Sequence, residues 1–82
     1  MDLNKLDELI KKANNDSKKD TLLVPIAMSL ESLRDEIIPS GMNIIGRYIN
    51  SIISSLVIID LVNDDNGKEL TAYYRSELAS LL

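Results

Sequence analysis

Apolar residues recur in steps of three and four within four separated segments, and each run predicts one amphipathic helix. In the first, residues 2–13, Leu3, Leu6, Ile10 and Ala13 share a face with Leu9 beside them. Asp2, Asp7 and Glu8 stand early and Lys11 and Lys12 late, as the helix dipole favours. Residues 14–19, NNDSKK, form a polar connection. The second helix begins between Asp20 and Val24 and carries Leu23, Ile26, Leu30, Leu33 and Ile37 inward, with Glu31, Arg34, Asp35 and Glu36 on the wet side. Pro25 fits a first turn, whereas Pro39 disfavours helical backbone at Ile38 and is expected to end the helix there. Ser40 is the expected N-cap of the third helix.

The third segment, residues 40–63, is the most apolar part of the chain. Met42, Ile45, Ile49, Ile52, Leu56 and Ile59 make one face. A second set, Ile44, Ile53, Val57, Ile58, Leu61 and Val62, widens that face until the C-terminal half is apolar nearly all round. Asn43, Arg47, Asn50 and Ser54 form a polar stripe that then stops. Gly46 inside the helix predicts a close backbone approach, and Ser51, Ser54 and Ser55 read as small residues that permit close packing.

After the turn NDDNG, a fourth helix is expected over residues 66–82. Asn66 with Glu69 resembles a capping box, and Leu70, Tyr74, Leu78 and Leu81 form the inner face. A competing reading pairs the β-branched residues 56–62 with 68–75 as a hairpin around that turn, giving a helical domain with a C-terminal wing. The unbroken three-four spacing from Met42 favours an all-α antiparallel four-helix bundle.

Composition narrows the chemistry. The chain has 82 residues, enough for one domain with one small core. It lacks His, Cys, Trp and Phe, so the commonest general base, a thiol nucleophile and a disulfide framework are absent. That fits a reducing, cytoplasmic setting. The net charge is −4 and no basic patch stands out, which argues against nucleic-acid binding. A winged DNA-binding reading would also leave only Arg47 on its recognition helix. The N-terminus lacks the cationic head and apolar run of a secretory leader. Residues 52–62 are interrupted by Ser54, Ser55 and Asp60, so no membrane span is expected.

Asp60, Asp64, Asp65 and Glu69 form the one dense acidic group. A calcium loop needs an acid five residues before its glycine and a Glu six after it. Around Gly67 those positions hold Val62 and Tyr73, so no metal or cofactor is expected. Glu31, Asp35 and Glu36 lie on a solvated helix side without a partner base, and the serines lack an activating residue. Lys11, Lys12, Lys18 and Lys19 are offset by neighbouring acids. No enzymatic site is evident. Arg47 with Tyr48, and Tyr73 and Tyr74 with Arg75, are instead candidate contact clusters, because aromatic and Arg side chains are enriched at binding hot spots. If one of Tyr73 and Tyr74 lines the core, the other must face outward. The expected partner-binding surface is Tyr73, Tyr74 and Arg75 with the acidic turn Asp64 and Asp65. The expected homodimer interface is Ile53, Val57, Ile58 and Leu61.

The helices LDELIKKA and MSLESLRDEI, the stretch IPSGMNIIGRYINSII and the closing ELTAYYRSELASLL together resemble the pediocin-type bacteriocin immunity proteins. That resemblance implies a small cytoplasmic antiparallel four-helix bundle without enzymatic activity, which protects by binding and uses its C-terminal part in recognition. This chain departs from the pattern in being acidic and in ending at Leu82 without a tail, so no functional residue carries over. The expected function is a non-enzymatic, immunity- or inhibitor-type protein that binds a protein partner. Two other readings stand beside it: a small phage or mobile-element regulator of a host or lysis protein, antiholin-like, and a homo-oligomerisation module.

Overall fold

The computed structural model describes the backbone of residues 1–82 and every side chain except that of Met42. The expected place of Met42 on an inner helix face lies outside the described side chains. Helix α1 runs Leu3–Asp16. Helix α2 is composite: α-helical over Val24–Ser32, π-helical over Leu33–Ile37, and α-helical again over Ile38–Ser40. Helix α3 runs Ile45–Val62 and α4 runs Asp65–Leu81. Short 3-10 turns, Thr21–Leu23 and Met42–Ile44, lead into α2 and α3. There is no strand among the described residues, so the wing is not needed; both of its proposed arms are helical. The short links make consecutive helices antiparallel, and the four pack as a bundle measuring 36 × 20 × 18 Å.

The core follows the sequence pattern closely. Leu6, Leu9 and Ala13 of α1 meet Ile26, Ala27, Leu30 and Leu33 of α2. Ile45, Ile49, Ile52 and Leu56 of α3 and Tyr74, Leu78 and Leu81 of α4 complete it. At the N-terminus, the Asp2 side chain accepts from the Lys5 amide and caps α1. Asp20 caps the turn before α2 in the same way, accepting from the Leu22 amide.

Four local expectations are corrected. First, α2 does not stop at Ile38. Proline lacks an N–H, and its ring would clash with the carbonyl four residues back, that of Asp35. The π-turn removes the conflict by shifting the pairing one residue further: the Ile38 amide bonds to the Leu33 carbonyl. The helix therefore passes Pro39 and ends before Gly41. Second, Ser40 is not an N-cap. Its hydroxyl donates back to the Glu36 carbonyl, and α3 begins beyond it. Third, α4 is capped by Asp64, which accepts from the Gly67 amide at 2.8 Å, so the Asn66–Glu69 capping box does not form. Fourth, α1 continues three residues past Ala13, because Asp16 has partners on its own helix and on α4.

The glycines also divide unexpectedly. A Cβ on Gly46 would meet only Leu82 Cδ2, at an ordinary 3.9 Å, so the close approach predicted there is absent. It occurs at Gly67 instead, where a Cβ would lie 2.0 Å from Cγ of Asn63. That Asn63 side chain bridges two links of the bundle. Its amide nitrogen donates to Asp20 Oδ2 at 2.9 Å, and its oxygen accepts from the Asp64 amide.

Candidate functional site

Tyr73, Tyr74 and Arg75 are consecutive on a helix, so about 100° separates each from the next. One points along α1, one into the core and one toward α3. Tyr73 is 42% exposed, and Tyr74 is fully buried. The expectation that one tyrosine faces out is met, while Tyr74 is withdrawn from any contact surface. Burial of its ring demands an acceptor for the phenol, and Asp16 supplies it at 2.6 Å. Burial, and then the hydrogen bond to Asp16, push the Tyr74 phenol well above its ordinary range. Arg75 turns to α3, where a terminal nitrogen lies 4.0 Å from Asp60 Oδ2. Asp60 also accepts from the Thr71 hydroxyl at 2.6 Å, which ties α3 to α4.

The acidic turn separates in the same way. Asp64 is committed to its cap, Asp65 is exposed in the first turn of α4, and Asp60 is half-buried against Thr71. No metal-holding group of acidic side chains occurs among the described residues. The five residues expected to form a partner surface therefore do not lie on one face.

Tyr73 lines an open groove between α1 and α4 with Lys5, Glu8, Lys12 and Glu77. Its two lysines and Glu77 are already paired. Lys5 meets Glu77 at 3.0 Å and donates to Ser80. Lys12 meets Asp16 at 3.1 Å and lies 5.1 Å from the Tyr73 ring centroid. This groove serves mainly to join the two helices.

The outer face of α3 is different. Of the first apolar set, Ile45, Ile49, Ile52 and Leu56 are buried and Ile59 is half-buried, whereas most of the second set faces water. Ile58, Leu61 and Val62 are 65%, 75% and 70% exposed, and Val57 is exposed beside them; Ile44 is exposed at the other end, in the turn before α3. Ile53 is the exception among the expected interface residues: it packs against the core. Large aliphatic side chains grouped at one helix end are the usual mark of a contact surface. Toward the N-terminal half the same face carries exposed Arg47, Asn50, Ser51, Ser54 and Ser55. The serines therefore do not mediate packing within this bundle. The Ser51 and Ser55 hydroxyls donate to backbone carbonyls four residues earlier.

By length and composition, α3 is apolar enough to cross a membrane, with a mean hydropathy of 1.5 over 18 residues. The interruptions noted in the sequence do not lower it below that limit. The same composition also describes a bundle's central helix, and four residues of α3 are buried here.

Two of the residues missed in the sequence were within its reach. The spacing Leu81, Leu78, Tyr74, extended toward the N-terminus, lands on Thr71 and Gly67, both buried. Selecting by hydrophobicity picked Leu70 instead, which is half-buried. Asp16 carried no signal, because its partner lies on the far helix.

No family model, characterised protein or solved structure matches this chain.

Proposed function

We propose that this protein is a non-enzymatic protein-binding protein, of the immunity or inhibitor kind that the sequence resemblance implies. It acts through the outer face of α3. The observation that carries this reading is the exposure of Ile58, Leu61 and Val62 on the C-terminal half of that helix. Fully burying a side chain of this size contributes about 1.5–3 kcal/mol, so three together supply a substantial part of a specific association. The groove at Tyr73 offers less, since Lys5 and Glu77 already bond to each other and Lys12 is held by Asp16.

A photo-crosslinking amino acid at position 58, introduced into the full chain in its native host, tests the reading. A discrete covalent protein adduct is the expected result, and Leu61→Asp should abolish it while leaving the helical spectrum intact. Absence of any protein adduct at positions 58 and 61 would refute the assignment.

A further inference from the structure

We infer that the occupant of the α3 outer face is a second copy of this chain, docked antiparallel about a two-fold axis that passes between Ser54 and Ile58. The inference rests on the reading of that face as a binding surface. It is carried by the order of residues along the exposed stripe, Arg47, Ser51, Ser54, Ile58 and Leu61, which repeats in steps of four and three. This is the spacing of a coiled-coil seam. Just beyond the stripe, past the extended residues Asn63 and Asp64, exposed Asp65 opens α4.

Read against a reversed copy of itself, this stripe is self-complementary. Arg47 faces Asp65 of the other copy, Ser51 faces Leu61, and Ser54 faces Ile58. Ile58 and Leu61 each meet a small side chain, and the single charge on the outer face of α3 meets an acid. A two-fold interface requires such reciprocity, since each residue must find its partner on an identical surface. The reversed arrangement is also the one that pairs opposite charges: side by side in parallel, Arg47 would face Arg47 and Asp65 would face Asp65. The sequence-predicted interface is thereby revised. Ile58, Leu61 and Val57 remain, Ile53 belongs to the core, and Val62, Ser51, Ser54, Arg47 and Asp65 join.

Sedimentation velocity of the full chain across the micromolar range tests this. Association to a dimer is expected, with Leu61→Asp and Ser54→Arg each weakening it by about tenfold or more. Neither position is buried, so the fold should survive, as circular dichroism of each variant would show. Arg47→Asp and Asp65→Arg should each weaken the dimer, and the combined swap should restore it. Because the chain has no cysteine, a variant carrying S54C and I58C should oxidise to a covalent dimer, and one carrying R47C and S54C should not.

A clean monomer at high micromolar concentration overturns the proposal, as does a dimer indifferent to Leu61→Asp or to the charge swap. Binding of the monomer through this face to vesicles of phosphatidylcholine and phosphatidylglycerol would overturn it in favour of a membrane surface. The photo-crosslinker at position 58 separates the two levels. An adduct with a foreign protein alone rejects the second copy but keeps the face; no protein adduct rejects both.

Discussion

The phenol of Tyr74 donates a hydrogen bond to Oδ2 of Asp16 at 2.6 Å, joining residues 58 positions apart. The bond closes the bundle by linking the last turn of α1 to the middle of α4. Lys12 strengthens it from the α1 side, 3.1 Å from the same carboxylate oxygen. Hydrogen bonds to charged groups contribute about 1.5–3 kcal/mol. Tyr74→Phe, which keeps the ring and removes the donor, should lower unfolding stability by about that amount in a urea titration. Tyr74→Ala removes the ring as well and should cost about 3–5 kcal/mol. Tyr73→Ala, on the exposed neighbour, should cost about 1 kcal/mol or less.

The same pair predicts the response to pH. Burial alone would raise the Asp16 carboxyl, but the hydrogen bonds from Tyr74 and Lys12 outweigh it and hold the group below its ordinary value. The unfolded chain therefore takes up this proton more readily than the folded one. Asp16 contributes stability that is complete above about pH 4 and is lost as the pH falls through the lower folded value. Tyr74 acts at the other end. Its raised phenol stays protonated in the fold while the unfolded chain ionises near pH 10, so its contribution is present below about pH 10 and is lost as the pH rises. Urea midpoints measured from acid to alkali should fall on both sides, and Tyr74→Phe should flatten both limbs. Unchanged limbs in that variant would assign the pH dependence elsewhere.

The two helical glycines should respond oppositely to alanine. Gly46→Ala meets no obstacle and removes the entropic cost of glycine in a helix, so it should stabilise by about 0.5–1 kcal/mol. Gly67→Ala drives a methyl group into Asn63 and breaks its bridge to Asp20, so it should destabilise by about 1–3 kcal/mol. In a double-mutant cycle Asn63→Ala should absorb much of the Gly67→Ala cost, since both substitutions break the same bridge. Additive losses would show that the bridge is not what Gly67 protects.

Chelation should leave the unfolding midpoint where it is. The calcium-loop spacing fails at both ends, and Asp64, the acid nearest the turn, accepts from the Gly67 amide. A midpoint lowered by a chelator and restored by calcium would contradict this.

In the core, Ile49→Ala should cost about 2–5 kcal/mol, because Ile49 is fully buried in the middle of α3. Thermal or urea unfolding of the variant measures it directly.

The sequence alone determined the four helices and most of the core. A step of three and four marks the stripe that leaves water, and burial of that stripe is the largest favourable contribution in a small domain. Leu6, Leu30, Ile49 and Leu78 were all legible for that reason. It also showed that α3 has more apolar perimeter than one bundle can cover, and that only one of Tyr73 and Tyr74 could face the core. What it could not decide depended on contacts between distant segments. Asp16 and Tyr74, Asn63 and Asp20, and the division of Tyr73, Tyr74 and Arg75 among three directions follow from helix rotation, which is fixed only when all four helices pack. The passage of α2 through Pro39 was hidden for a related reason. Local proline chemistry predicts a stop, but a shift to π-pairing lets Ile37 and Ile38 stay packed against the core. Tertiary burial then outweighs the local preference. The outward place of Val57, Ile58 and Leu61 was legible, but the inward turn of Ile53 was a tertiary outcome: helix rotation sets where the edge of the enclosed stripe falls.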